Sequence, residues 1–113
     1  MIARCAFCGA LVVVMHHFCG RPYPDGPYYN DIVLPLCKKC HVREHMVLRR
    51  LRVEWPQPGA DPLAHQFTRL TVTLGRLADE HRPLVLDVAS TSSLHELLVE
   101  VADRFASRLE AAS

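Results

Sequence analysis

Leu36-Cys37-Lys38-Lys39-Cys40-His41-Val42-Arg43-Glu44-His45 is the stretch on which the fold of this chain turns. Cys37 and Cys40 form a Cys-x-x-Cys pair, and His41 and His45 follow at i and i+4. From Cys40 to Leu51 the chain lacks Gly and Pro and is rich in helix formers, which predicts a helix. On that helix His41 and His45 stand one above the other on a single face. Cys40 lies ~100° around the axis from His41. One helix start can therefore serve one metal ion on one side and a second ion on the other.

Upstream, Cys5-Ala6-Phe7-Cys8-Gly9 supplies a second Cys-x-x-Cys pair. In a reducing compartment such pairs are more often metal clips than disulfides. Gly9 permits the tight turn that aims backbone N–H groups at thiolate sulfur. Cys5, Cys8, Cys37 and Cys40 together complete a tetrahedral site with no open position, the signature of structural Zn²⁺. A redox role needs a thioredoxin-like βαβ context, and none is visible. The remaining cysteine, Cys19, has no paired neighbour and reads as a small buried apolar residue beside Phe18.

Between the knuckles, Leu11-Val12-Val13-Val14-Met15 leads into His16-His17. Consecutive valines favour a strand, and successive strand residues point to opposite faces. One histidine can ligate a metal while its neighbour reaches a different point of the same site. The plain alternative is a pair of histidines at a solvent-exposed strand end. Gly20 to Asn30 holds three prolines and two glycines and reads as a loop. Ile32 to Leu34 reads as a second short strand pairing with residues 11–16, and Pro35 confines it to an edge or ends it. The predicted order is knuckle, strand, loop, strand, knuckle, helix.

Further on, Trp55-Pro56-Gln57-Pro58-Gly59-Ala60-Asp61-Pro62 breaks the chain. Leu63, Phe67, Leu70, Leu74 and Leu77 then form one apolar helical stripe ending near His81, with Asp61 and Pro62 as its start. Leu84-Val85-Leu86 lies in a connector bounded by Pro83 and Ser90-Thr91-Ser92. Ser93 with Glu96 reads as a capping box opening a last helix over 93–110, with Leu94, Leu97, Leu98, Val101, Phe105 and Leu109 on one face. His65, His81 and His95 stand singly on these segments and read as surface or half-buried side chains. The expected fold class is α+β: a zinc-stabilised finger of a short β-hairpin plus a helix over 1–55, then a two-helix extension over 56–113, one compact domain overall.

The whole chain fits that plan. At 113 residues it suffices for one domain, and with 50% hydrophobic residues it is not disordered throughout. The longest apolar run, Ala10 to Met15, is far short of a bilayer span. Arg4 and the stretch after it resemble a signal peptide only weakly, so a cytoplasmic protein with no membrane partner is expected. Charge is divided. Residues 1–53 carry eight Lys/Arg against three Asp/Glu, a net +5, and residues 54–113 carry five against nine, a net −4. The first part can face a polyanion and the second would repel one.

Cys5-x2-Cys8, His16-His17, Asn30 and Cys37-x2-Cys40-His41-x3-His45 together resemble the HNH endonucleases, the ββα-metal or His-Me finger nucleases, in their zinc-knuckle form. The resemblance covers about residues 5–50. It implies that His16 and His41 bind a single catalytic divalent metal (Mg²⁺, Mn²⁺, Ni²⁺ or Zn²⁺), and that His45 joins them, as in colicin-type members. It implies that His17 activates a water and that Asn30 holds the loop around this base. Asn30 lies further upstream of Cys37 than the family usually has it, which leaves Asp31 or a backbone group as the alternative. Arg43, Arg49, Arg50 and Arg52 are then candidate contacts to flanking DNA phosphates.

The leading reading is a metal-dependent DNA endonuclease or nickase, with RNA not excluded as substrate. The alternative is a catalytically inactive zinc-stabilised module that binds nucleic acid or protein. A third is a structural zinc protein whose helices mediate assembly. The intact His16-His17 dyad favours the enzyme, since a binding module has no need of both. A homodimer through the C-terminal helices is compatible with each reading.

Overall fold

The computed structural model describes residues 4–11, 14–20 and 29–112, with two short strands and three helices among them. The architecture is α+β. β1 (Val14–His17) pairs antiparallel with β2 (Val33–Leu36) in the register Val14↔Leu36, Met15↔Pro35, His16↔Leu34 and His17↔Val33. The expected strand through Val12 and Val13, and most of the expected loop, at 21–28, lie outside the described residues. Alternation sends His16, Leu34 and Leu36 inward and leaves Met15 and His17 on the exposed face. Pro35 sits inside β2, where a two-stranded sheet has only edges; its carbonyl accepts from the Ala6 N–H at 2.9 Å. That bond ties the first knuckle to the sheet.

α1 (Lys38–Arg50) begins two residues before the expected Cys40, because Cys37 caps it: the Cys37 Sγ accepts from the Cys40 N–H at 3.4 Å. α1 ends in a Schellman turn, with Val53 N–H donating to Leu48 O at 2.9 Å and Arg52 in the left-handed region at φ 61°. α2 (Pro62–Asp79) starts as expected, Asp61 accepting from the Leu63 and Ala64 N–H groups. It ends in the same kind of turn, with His81 at φ 55° and Arg82 N–H donating to Leu77 O at 2.8 Å.

α3 (Val88–Ala112) corrects the predicted start at Ser93. The Asp87 carboxylate accepts from the Ser90 N–H at 2.7 Å, so capping occurs a turn and a half earlier. Ser90, Thr91 and Ser92 are therefore helical rather than part of a connector. Ser90 Oγ donates to Asp31 O at 2.7 Å and accepts from Val33 N–H at 3.2 Å, pinning α3 to β2. The leucine stripe of α2 buries Leu63, Leu70 and Leu77, with Phe67 and Leu74 partly covered. These meet Leu97, Leu94 and Val101 of α3, Ile32 just before β2, and the sheet residues Leu34 and Leu36 in one core. Leu98 and Phe105, predicted on the packed face, are exposed, and the side chain of Leu109 lies outside the described residues.

Candidate metal centres and their cavity

Two clusters of ligand atoms flank the start of α1. In the first, the sulfurs of Cys5, Cys8, Cys37 and Cys40 lie within 4.8 Å of one another. Cys8 Sγ and Cys37 Sγ are 3.6 Å apart. Two sulfurs each ~2.3 Å from a tetrahedral ion would be separated by ~3.8 Å. The cluster is closed by local backbone geometry. Cys5 N–H donates to Ala10 O at 2.7 Å and Gly9 N–H to Cys5 O at 2.9 Å, with Gly9 at φ 77° as the turn requires. Burial opposes the Cys5 thiolate, but N–H groups of Cys37, Cys8 and Phe7 outweigh it and bring its pKa to about 6. The four cysteines can hold a metal ion. Cys19 is fully buried, outside the cluster, and desolvation pushes its thiol up to about 12.

The second cluster is His16 from β1 with His41 and His45 from α1, their ligand nitrogens also within 4.8 Å. The ring centroids are 5.4 Å apart for His16 to either partner and 4.6 Å for His41 to His45. His41 Nε2 and His45 Nε2 are separated by 3.1 Å. Two nitrogens on one ion at ~2.05 Å each would stand ~2.9 Å apart in octahedral and ~3.3 Å in tetrahedral geometry. His16 is fully buried, and neither ring nitrogen has a hydrogen-bond partner. An orphaned buried imidazole costs stability unless something else satisfies it, and a cation shared with His41 and His45 fits that need. Desolvation, then the charges of His45, Arg69, His41 and His17, lowers the His16 pKa to about 3. Burial lowers His41 and His45 as well. Neutral imidazoles are the form that ligates metal.

His17 points away from His16, as strand alternation demands, and is absent from the second cluster. Its Nδ1 donates to the backbone carbonyl of Asn30 at 2.8 Å. A carbonyl can only accept, so this bond places a proton on Nδ1 and leaves Nε2 as the ring nitrogen that can take one in the neutral form. Asn30 thus meets His17 through its main chain.

His17, His41 and His45 line a cavity of about 290 Å³ with Met15, Gly20, Glu54, Trp55 and Arg69. Arg69 was not foreseen as a site residue. It is buried on α2 and donates from Nη1 to Glu54 O at 2.6 Å, from Nε to Phe18 O at 3.2 Å and from Nη2 to His17 O at 3.4 Å. Gly20, at φ 82°, leaves room for it: a Cβ there would come within 3.0 Å of Arg69 Nε. Glu44, also unforeseen, is fully buried behind His45. It accepts from Arg76 Nε at 2.6 Å and from Thr73 Oγ1 at 3.0 Å. α2 therefore presents its leucines to the core and a polar row of Gln66, Arg69, Thr73 and Arg76 to other parts of the structure. Gln66 accepts from the Tyr29 N–H at 2.9 Å, and Arg76 also lies over the Phe7 ring.

The four candidate phosphate contacts are placed differently from one another. Arg49 pairs with Glu54 at 3.0 Å, and Arg43 lies over the Phe7 ring with Glu80 3.7 Å away. Arg50 and Arg52 are exposed and make no ion pair among the described residues. Also among these residues, no helix is long and apolar enough to cross a membrane. The chain matches no protein-family model, no curated protein and no solved structure.

Proposed function

We propose that this protein is a metal-dependent endonuclease or nickase of the ββα-metal type, hydrolysing DNA phosphodiester bonds. The observation that carries the reading is the division of labour in the histidine dyad. His16 belongs to a three-histidine cluster, while His17 lies outside it among the described residues, with its Nδ1–H held by Asn30 O and its ring beside the same cavity.

In this reading Cys5, Cys8, Cys37 and Cys40 hold structural Zn²⁺, and His16, His41 and His45 hold one divalent cation. That cation, when bound, supplies Lewis-acid polarisation of the phosphate and stabilises charge on the leaving 3′ oxygen. His17 Nε2 takes a proton from the attacking water. The water oxygen forms the new bond to phosphorus and the P–O3′ bond breaks. The proton passes from the imidazolium to solvent and the 3′ oxygen is protonated in turn. An imidazole suits this role as a general base. Arg69 holds the His17 carbonyl from behind and keeps the base in register.

The experiment is incubation of supercoiled plasmid with Mg²⁺, Mn²⁺, Ni²⁺ or Zn²⁺, with and without chelator. Cleavage is expected with at least one metal and none with chelator. His17→Ala should keep both metals, the fold and DNA binding, and lose cleavage by about 10²–10⁴-fold. His16→Ala and His41→Ala should lose the histidine-bound metal and cleavage together. Full cleavage by His17→Ala, or a structure with His17 on the metal, overturns the assignment. A protein that binds plasmid but cuts it with no metal is the inactive binding module instead.

A further inference from the structure

Trp55 is the one tryptophan of the chain, and it is 50% exposed at the cavity that holds His17, His41 and His45. A single exposed apolar side chain is ordinary. The bracing of the backbone that presents this one is not. Arg52 takes the left-handed conformation to turn the chain back, and Val53 N–H and Glu54 N–H both donate to Leu48 O, at 2.9 and 3.2 Å. His65 Nε2 donates to Val53 O at 2.9 Å. Arg69 Nη1 donates to Glu54 O at 2.6 Å, and the Glu54 carboxylate is paired with Arg49. Helices α1 and α2 thus fix residues 53 and 54 from two sides, and the next residue is an indole held half in water. A left-handed arginine is strained relative to the right-handed form. The turn that ends α1 thus leaves Trp55 among the residues lining the cavity.

We infer that Trp55 is a stacking platform for a nucleobase, and that the site takes an unpaired nucleotide of single-stranded DNA next to the scissile phosphodiester. This rests on the nuclease reading and narrows its substrate. The cavity, about 290 Å³, is at the small end of ligand pockets, which run from about 300 Å³ upward. It is of the size of a base with its phosphate, whereas a stacked helix can only lie across its mouth. A phosphate held at His17 leaves its neighbouring base near Trp55, where an indole face receives a base only if that base has left its own stack. The other rim residue, Met15, is 44% exposed and gives a soft, polarisable surface with no base-reading hydrogen bonds. Every base has a π-face, so recognition here is tolerant of sequence. Single strands, flaps and gaps meet these conditions, and intact duplex does not.

The lone tryptophan is its own reporter. Protein carrying one equivalent of Zn²⁺, for the four cysteines, and no other divalent metal is titrated with a short single-stranded oligonucleotide and with a duplex of the same sequence, and the oligonucleotides are checked to remain uncut. The single strand should quench Trp55 fluorescence and bind more tightly than the duplex. Trp55→Ala should weaken single-strand binding by about 5- to 150-fold, the usual worth of one base–aromatic stack. Trp55→Phe should recover most of it. Both variants should keep zinc content and helical circular dichroism, because the ring is exposed. With the activating metal added, flapped or single-stranded substrate should be cut faster than duplex, and Trp55→Ala should raise KM more than it lowers kcat. Unchanged single-strand affinity in Trp55→Ala overturns the inference, as does preferential cutting of duplex with no fluorescence response. In both of those outcomes the nuclease reading stands. A protein that neither binds nor cuts DNA with any metal fails at the nuclease reading itself, and the inference falls with it.

Discussion

His16 shows how much one residue's surroundings decide. Fully buried, it has a pKa lowered to about 3, chiefly by desolvation. An unfolded histidine titrates near 6.5. Between these values the unfolded chain binds a proton that the folded one refuses, so this contribution to stability is complete above about pH 6.5 and falls as pH drops toward about 3. From pH 6.5 to 5 the loss should be about 2 kcal/mol without metal at the histidine cluster. Urea midpoints of wild type and His16→Gln, followed across that window, check it. The wild type should lose stability more steeply, and parallel slopes would contradict the account. The dyad itself is legible in sequence, because alternation along a strand has to send adjacent histidines to different places. What sequence does not disclose is that the Asn30 main chain, rather than its amide, meets His17. Backbone groups carry no residue signature.

At the scale of elements, helix α2 carries two messages in one amphipathic pattern. Its leucine stripe is readable at once, since an apolar face must be buried against something. Arg69 and Thr73 lie off that stripe, yet both are buried, because the finger docks on that side. No period in the sequence distinguishes a polar face toward water from one toward backbone carbonyls. Arg69→Met should therefore destabilise the protein by roughly 3–5 kcal/mol, since the Phe18, Glu54 and His17 carbonyls each lose a donor in a buried site. Chemical denaturation measures this, and a loss below 1 kcal/mol would remove Arg69 from the architecture. Helix ends show the same contrast. Asp61-Pro62 marked its start correctly, whereas Ser93 with Glu96 had the pattern of a cap but lost to Asp87, which also anchors Ser90 to the sheet. α2 closes on His81 in a left-handed conformation that glycine adopts without strain. His81→Gly should raise stability by about 0.5–1 kcal/mol, read as a higher denaturation midpoint. A fall would mean that the His81 side chain makes contacts worth more than the strain.

Across the whole molecule, the division of charge maps onto the division of structure. Basic residues gather on the finger, and the acidic ones of the second part lie on α3 and in the segments that flank α2, which itself carries only Asp79. Yet the net +5 of the first part overstates what can meet a polyanion, because Arg43 and Arg49 have acidic neighbours from the second part. Summed charge is visible in sequence and its neutralisation is not. Arg50→Ala should weaken DNA binding evenly across sequences and reduce the log–log salt slope by about 1. Glu96→Lys on α3 should leave that slope nearly unchanged. Equal effects from the two changes would move the DNA surface to the helices.

Cys40 and His41 are consecutive residues, yet they belong to different clusters. Neither cluster is local: one joins both ends of the finger, and the other needs β1 laid against α1. A partly unfolded chain offers the two nitrogens of α1 without the third from His16. On the nuclease reading proposed above, cleavage is thereby withheld until the finger has closed. In refolding, zinc uptake should come first and cleavage should appear only after it.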